Sequence, residues 1–294
     1  SYLVNLSVQM AQAGQSVAVG FNWFTISSTI LLCAGSMFVM WLGERITDRG
    51  IGNGISFIIL IGIIARFPAA IIQEFSSRLN EGGGLMVFIL EIIFLLAVFA
   101  FAILLVQGTR RIPVQYAKRM VGNKQYGGVR QYIPLKVNAA NVMPIIFAQA
   151  IMFIPIALAG FSTSEGASAF TRAFMDNTGF WYNFVFAILI IVFTYFYTAI
   201  IINPVQMAEN LKLNNGFIPG VKPGKKTAEY IDSIMTRLTL PGSCLLAIIA
   251  ILPAFARLFG VSMSFAQFFG GTSLLIMVGV ILDTLQQIES KLLE

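Results

Sequence analysis

The 294-residue sequence predicts an all-α polytopic membrane protein. Three observations carry this. The chain is 57% hydrophobic, has a mean hydropathy of +0.82 and is only 11% charged, against roughly 25% charged in a soluble domain. Its apolar residues come in long continuous runs that match the about 20 residues a helix needs to cross a hydrocarbon core. The alternating segments of about ten residues that build a transmembrane β-barrel are not the pattern. Its basic residues, finally, gather in alternate loops.

The segment 1–9 reads as the last two turns of an apolar helix. It lacks an initiator Met and a basic leader, so we expect a longer chain that begins upstream. Seven spans follow, at 21–42, 55–72, 85–106, 139–160, 180–202, 238–256 and 268–285. The loops at 44–54, 107–138 and 203–237 and the C-terminal tail hold 15 of the 19 Lys and Arg residues. The other side holds Arg66, Arg78, Arg172 and Arg257. That asymmetry places the basic loops and the C-terminus in the cytoplasm. It also supports the span count, because one span too many would scramble the alternation. The fourth span differs from the rest. It carries Pro144, Pro155, Asn141 and Gln149, so a kinked helix with polar residues is expected there. The loops 107–138 and 203–237 each exceed 30 residues and are longer than a helix turnaround requires. They are either topogenic charge or a docking surface for a cytoplasmic partner.

Composition removes several chemistries. There is no histidine, which excludes Ser-His-Asp and Cys-His catalysis and His-ligated metals, and points away from an enzyme. Cys33 and Cys244 sit singly in apolar runs and read as packing residues. No metal and no other cofactor is expected. The run 220–227 imitates a phosphate-binding loop, but its first spacing is one residue short and Pro223 interrupts it. Gly50-Ile-Gly-Asn-Gly54 lacks the spacing and the βαβ context of a dinucleotide loop. Glu91 alone among charged residues lies clearly inside a span; Asp283 and Arg66 lie near span ends. A charged network of the kind that couples solute transport is not evident. Three classes stay open on these grounds: a protein-conducting channel, a secondary transporter of small solutes, and a membrane scaffold.

Six motifs narrow the choice. The run from Trp41 to Ser56, WLGERITDRGIGNGIS, is the first. Arg110-Arg111 with Gln115-Tyr-Ala-Lys-Arg119, and Pro134-Leu-Lys-Val-Asn138, follow. Phe217-Ile-Pro-Gly-Val-Lys-Pro-Gly224, Thr236-Arg-Leu-Thr239 and Gly270-Gly-Thr-Ser-Leu-Leu-Ile276 complete the set. In order and spacing they closely resemble the SecY family of bacterial protein-conducting channels, from about residue 21 to the C-terminus. The resemblance implies a bundle of ten helices in two inverted halves, with the first helices absent here. Segment 1–20 is then the end of helix three and an outer loop, 21–72 helices four and five, and 85–106 helix six. Segments 107–138 and 203–237 are docking loops. Helices seven and eight, at 139–202, form a lateral gate wall; 238–285 is helices nine and ten, and 286–294 a cytoplasmic tail.

The family seals its pore with an aliphatic ring, which the resemblance assigns to Ile55, Ile59, Ile146 and Ile276. An apolar constriction blocks ions without offering fixed hydrogen bonds to a passing chain. Asn141 and Gln149 become candidate gate residues; Gln149 stands where relatives often carry a small hydroxyl residue. Arg110, Arg111, Lys118, Arg119 and Lys222 become candidate docking residues. Lys222 occupies the place of a family arginine, keeping the charge without the bidentate fork. The implied partners are SecE, SecG, the SecA motor ATPase, the ribosome, a translocating polypeptide and membrane lipid, in the bacterial cytoplasmic membrane.

Overall fold

The computed structural model describes residues 23–80, 84–126, 128–137, 143–159, 169, 172–174, 176 and 179–294. Segment 1–9 and Asn141, both singled out by the sequence, lie outside the described residues. The described chain folds as α1 (Trp23–Arg49), α2 (Gly54–Asn80), α3 (Gly84–Gln107), β1 (Thr109–Tyr116), β2 (Arg119–Val121), β3 (Lys124–Tyr126), β4 (Arg130–Lys136), α4 (Met143–Ala159), α5 (Phe180–Ile201), α6 (Pro204–Leu213), β5 (Gly216–Phe217), α7 (Lys225–Leu258), the single turn α8 (Met263–Ala266), and α9 (Gly271–Leu293). Among the described residues, six helices are long and apolar enough to cross a membrane. The fourth predicted span, α4, is described over 17 residues, between segments outside the described residues.

The residues group into two compact units, one of 23–61 with 283–294 and one of 62–282. In the first, α1 is apolar all round and buries Gly43. Lipid, not water, suits such a helix. The turn between α1 and α2 is tied by Thr47, whose Oγ1 donates to the Gly43 carbonyl at 2.9 Å and accepts from the Gly54 amide at 2.8 Å. A Cβ on Gly54 would overlap the Gly43 carbonyl oxygen, so this approach of two helix ends requires glycine. The glycine-rich run 50–54 is therefore a helix-to-helix turn.

In the second unit the helical core is built by one face from each of five helices. Val98, Ala102 and Leu105 of α3, Ile145, Ala148 and Met152 of α4, and Phe186 and Ile190 of α5 pack with Leu246 and Ile249 of α7 and Leu274 and Leu275 of α9. Apart from Phe186 and Met152 these are small and aliphatic side chains, the kind that lets one helix face dock while the others meet lipid.

Pro155 lies inside α4, and Pro144 is its second described residue, the stretch 138–142 before it lying outside the described residues. The long loops carry regular structure. They contain strands, and they pair with each other: β4, β1 and β5 form one sheet in that order, with β2 and β3 as a small hairpin. Pro134 sits on edge strand β4, and Pro113 lies where β5, which covers only Gln115 and Tyr116, leaves β1 unpaired on one side. α7 starts at Lys225, thirteen residues ahead of the predicted span, because Ile231, Ile234 and Met235 have a second core to bury. That core joins them to Ile112, Val114, Leu135, Leu211 and Ile218 beneath the sheet.

Candidate functional site

The sheet positions the predicted docking residues. Opposed residues in an antiparallel pair share a face, and successive residues alternate. Ile112 opposite Ile133, and the fully buried Val114, face the core. Arg111 opposite Pro134, Pro113 opposite Tyr132, Gln115 opposite Arg130 and Thr109 opposite Lys136 form the other face. That face exposes Arg111, Arg130, Lys136 and Tyr132. Arg110 is also exposed, at the start of β1. Lys118 is exposed in the connection after β1, its aliphatic stem lying over Gly128. Arg119 opens β2 and pairs in register with Tyr126.

Lys222 comes from the other loop. Ile218 is buried in the sheet core and Val221 packs against it, so the chain is anchored immediately before Lys222. Gly220 and Gly224 flank it in the left-handed region, with φ of +85° and +97°. The Lys222 carbonyl accepts from Thr227 Oγ1 at 2.9 Å. The side chain is left exposed on a fixed turn. The strand before it, β5, runs antiparallel to β1, so the run 220–227 lacks the parallel-sheet setting of a nucleotide loop. Arg130 and Lys136 were not singled out from the sequence. The signal that would have found them is the period-2 alternation Ile112, Val114 and Ile133, Leu135, which marks strands with one outward face.

The four isoleucines lie on three helices. Ile55 and Ile59, one turn apart at the start of α2 in the first unit, are 42% and 46% exposed. Ile146 is 43% exposed on α4, next to the fully buried Ile145, and Ile276 is half-buried on α9. Each thus shows apolar surface that its own unit does not cover.

Gln149 is exposed and lies three residues after Ile146, on the same side of α4. Helix α4 docks on α5 through Phe147, whose ring meets Tyr197 at 5.2 Å and Phe193 at 6.2 Å. Gln149 lines a cavity of about 320 Å³ in the second unit, together with Tyr182, Asn183, Arg257, Gln267 and Ser273. Sequence reasoning missed these polar neighbours, because they are separated along the chain and converge only in the fold.

Glu91, the charged residue inside a span, pairs with Arg78, which also bonds Glu74 at 3.1 Å. The predicted loop 73–84 is helical as far as Asn80, which sets Glu74 and Arg78 one turn apart. Cys33 and Cys244 are both exposed and unbridged. Among the described residues, no group of three or more His, Cys, Asp or Glu side chains could hold a metal ion.

A family model described as SecY matches residues 2–285. The protein translocase subunit SecY of Halalkalibacterium halodurans is 46% identical over 271 residues, covering 90% of this chain and 63% of that protein. Its counterpart from Thermotoga maritima is 44% identical over 280 residues, covering 93% and 62%. The chain therefore spans a little under two thirds of the length of these curated relatives. A solved structure of "a protein conducting channel" matches with a TM-score of 0.56 at 18% identity, over 87% of this chain and 63% of that one. A SecY structure concerned with the plug domain matches with a TM-score of 0.57 at 18% identity, over 97% and 70%. At that identity the likeness establishes the fold.

Proposed function

This chain belongs to the SecY family, and from that premise we propose that it is part of the central subunit of a protein translocation channel. The channel passes unfolded secretory polypeptides across the bacterial cytoplasmic membrane and releases transmembrane segments sideways into lipid. It conducts and does not catalyse. The observation that carries this reading is the sheet. Two loops almost a hundred residues apart fold onto one core, and Arg110, Arg111, Lys118 and Lys222 are all exposed around it. Topogenic charge alone needs no such core.

In this reading the sheet and the basic residues around it are cytoplasmic and receive the SecA motor ATPase and the ribosome, whose acidic and phosphate groups match their charge. Ile55, Ile59, Ile146 and Ile276 form the pore ring; their uncovered apolar surface supports it. Helices α4 and α5 form a lateral gate wall, with Gln149 and Asn141 as its polar members. SecE and SecG cover apolar helix faces that the chain leaves open. The test is a photocrosslinker at Ile276 of the full-length protein, with a secretory chain stalled in transit. A crosslink to the stalled chain is expected. Its absence, alongside strong lipid crosslinks from control positions on α1, would sink the pore assignment.

A further inference from the structure

Helix α7 has 34 residues and so extends about 51 Å. Its first turns complete the sheet core, and its last leads into the turn Phe259–Ser262. Against that turn, in the second unit, lie Glu74 and Arg78 of α2 and Glu91 of α3. Glu74 is 1% exposed and both its oxygens are occupied. Oε1 accepts from Arg78 Nε at 3.1 Å, and Oε2 from the Ser262 amide at 3.0 Å. Arg78 Nη2 donates to Glu91 Oε1 and, at 3.4 Å, to the Phe259 carbonyl. Glu91 is 8% exposed, and its second oxygen, Oε2, is buried with no hydrogen-bond partner among the described residues. Among the described residues, the charged groups acting on Glu91 are Glu74 and Arg78. Aromatic contacts flank the cluster: Phe75 meets Phe88 edge-on at 5.3 Å, and Phe94 stacks on Phe269 at 5.7 Å.

Two carboxylates share one guanidinium here, and one carboxylate oxygen lacks a donor. Both deficits are met by a single proton. We propose that the Glu74–Glu91 pair is a proton-binding site, and that the protonated cluster ties α2, α3 and the turn after α7 together. With the proton on Glu91 Oε2, that atom becomes a donor and Glu74 its acceptor. The cluster is then neutral: one carboxylic acid, one carboxylate, one guanidinium. Without the proton, two like charges face one another in apolar surroundings and Oε2 is again unsatisfied. The junction therefore contributes most at low pH and weakens as pH rises.

The test uses the full-length protein in nanodiscs, labelled with ¹³C-glutamate, and infrared spectroscopy of the carboxyl stretch. At neutral pH the wild type should show a protonated-carboxyl band that disappears in Glu91→Gln and in Glu74→Gln. Each variant leaves one carboxylate for one guanidinium, so neither needs the proton. The wild-type melting temperature should fall as pH is raised, and that fall should flatten in Glu91→Gln, which mimics the protonated acid. Should Glu91→Gln fail to accumulate, Glu74→Gln gives the same two readouts. A band that survives either substitution overturns the shared proton. So does a Glu91→Gln melting curve that tracks the wild type across pH. A wild-type melting temperature that rises with sodium at constant pH, and not with choline, would replace the proton by a metal cation and overturn the proposal.

Discussion

At the scale of single residues, the surroundings decide between similar side chains. Ile145 and Ile146 are adjacent, yet one is fully buried and the other 43% exposed, because a helix turns about 100° per residue. Nothing in the type of residue distinguishes them. Glycines divide likewise. Gly54 faces the Gly43 carbonyl, whereas Gly62, farther along α2, has nothing within 4 Å of a built Cβ. We expect Gly54→Ala to lower the melting temperature of the full-length protein, at a cost of about 1–3 kcal/mol of overpacking. Gly62→Ala should be neutral or slightly stabilising, since it adds helix propensity without contact. Equal effects of the two substitutions would refute the close approach. Lys222 stands exposed on an anchored turn, so its substitution should spare the fold. Lys222→Glu is expected to impair motor-dependent translocation while membrane accumulation stays normal, and Lys222→Arg to retain activity; unchanged translocation in Lys222→Glu would remove the residue from the docking surface.

At the scale of elements, periodicity and length decide. The long apolar runs are legible because a 3.6-residue repeat saturated with hydrophobic side chains has few other solutions in lipid. The strands were missed for the opposite reason: they are short, carry Pro113 and Pro134, and look like punctuated loops. Their stability comes from α7, whose Ile231 is fully buried with Ile112 beneath the sheet. Ile231→Ala should cost about 2–5 kcal/mol and loosen the sheet without unfolding the spans. Trypsin should then cleave faster at Lys118 and Lys124 in membrane vesicles carrying the variant. Cleavage at the wild-type rate would show that α7 does not hold the sheet.

At the scale of the whole molecule, charge placement is the dominant pattern. Fifteen of 19 basic residues belong to one set of loops, and the sheet concentrates several of them on one exposed face. If that face docks an acidic or phosphate-bearing partner, affinity should fall steeply with salt, because the Debye length is only about 10 Å at 0.1 M. Cosedimentation of ribosomes with reconstituted protein, from low to high salt, measures it; a salt-independent affinity would point to apolar contacts instead. The sequence by itself determined the helical membrane class, the approximate spans, the charge asymmetry and, through six motifs in register, the family. Each is written in contiguous stretches, so a local pattern suffices to read it. Only the tertiary structure decided that two distant loops share one sheet, that Arg78 joins Glu91 to Glu74, and that Gln149, Arg257 and Asn183 line one cavity. Those arrangements bring together separate segments of the chain, and no local periodicity specifies which partner a buried charge or a strand edge will find.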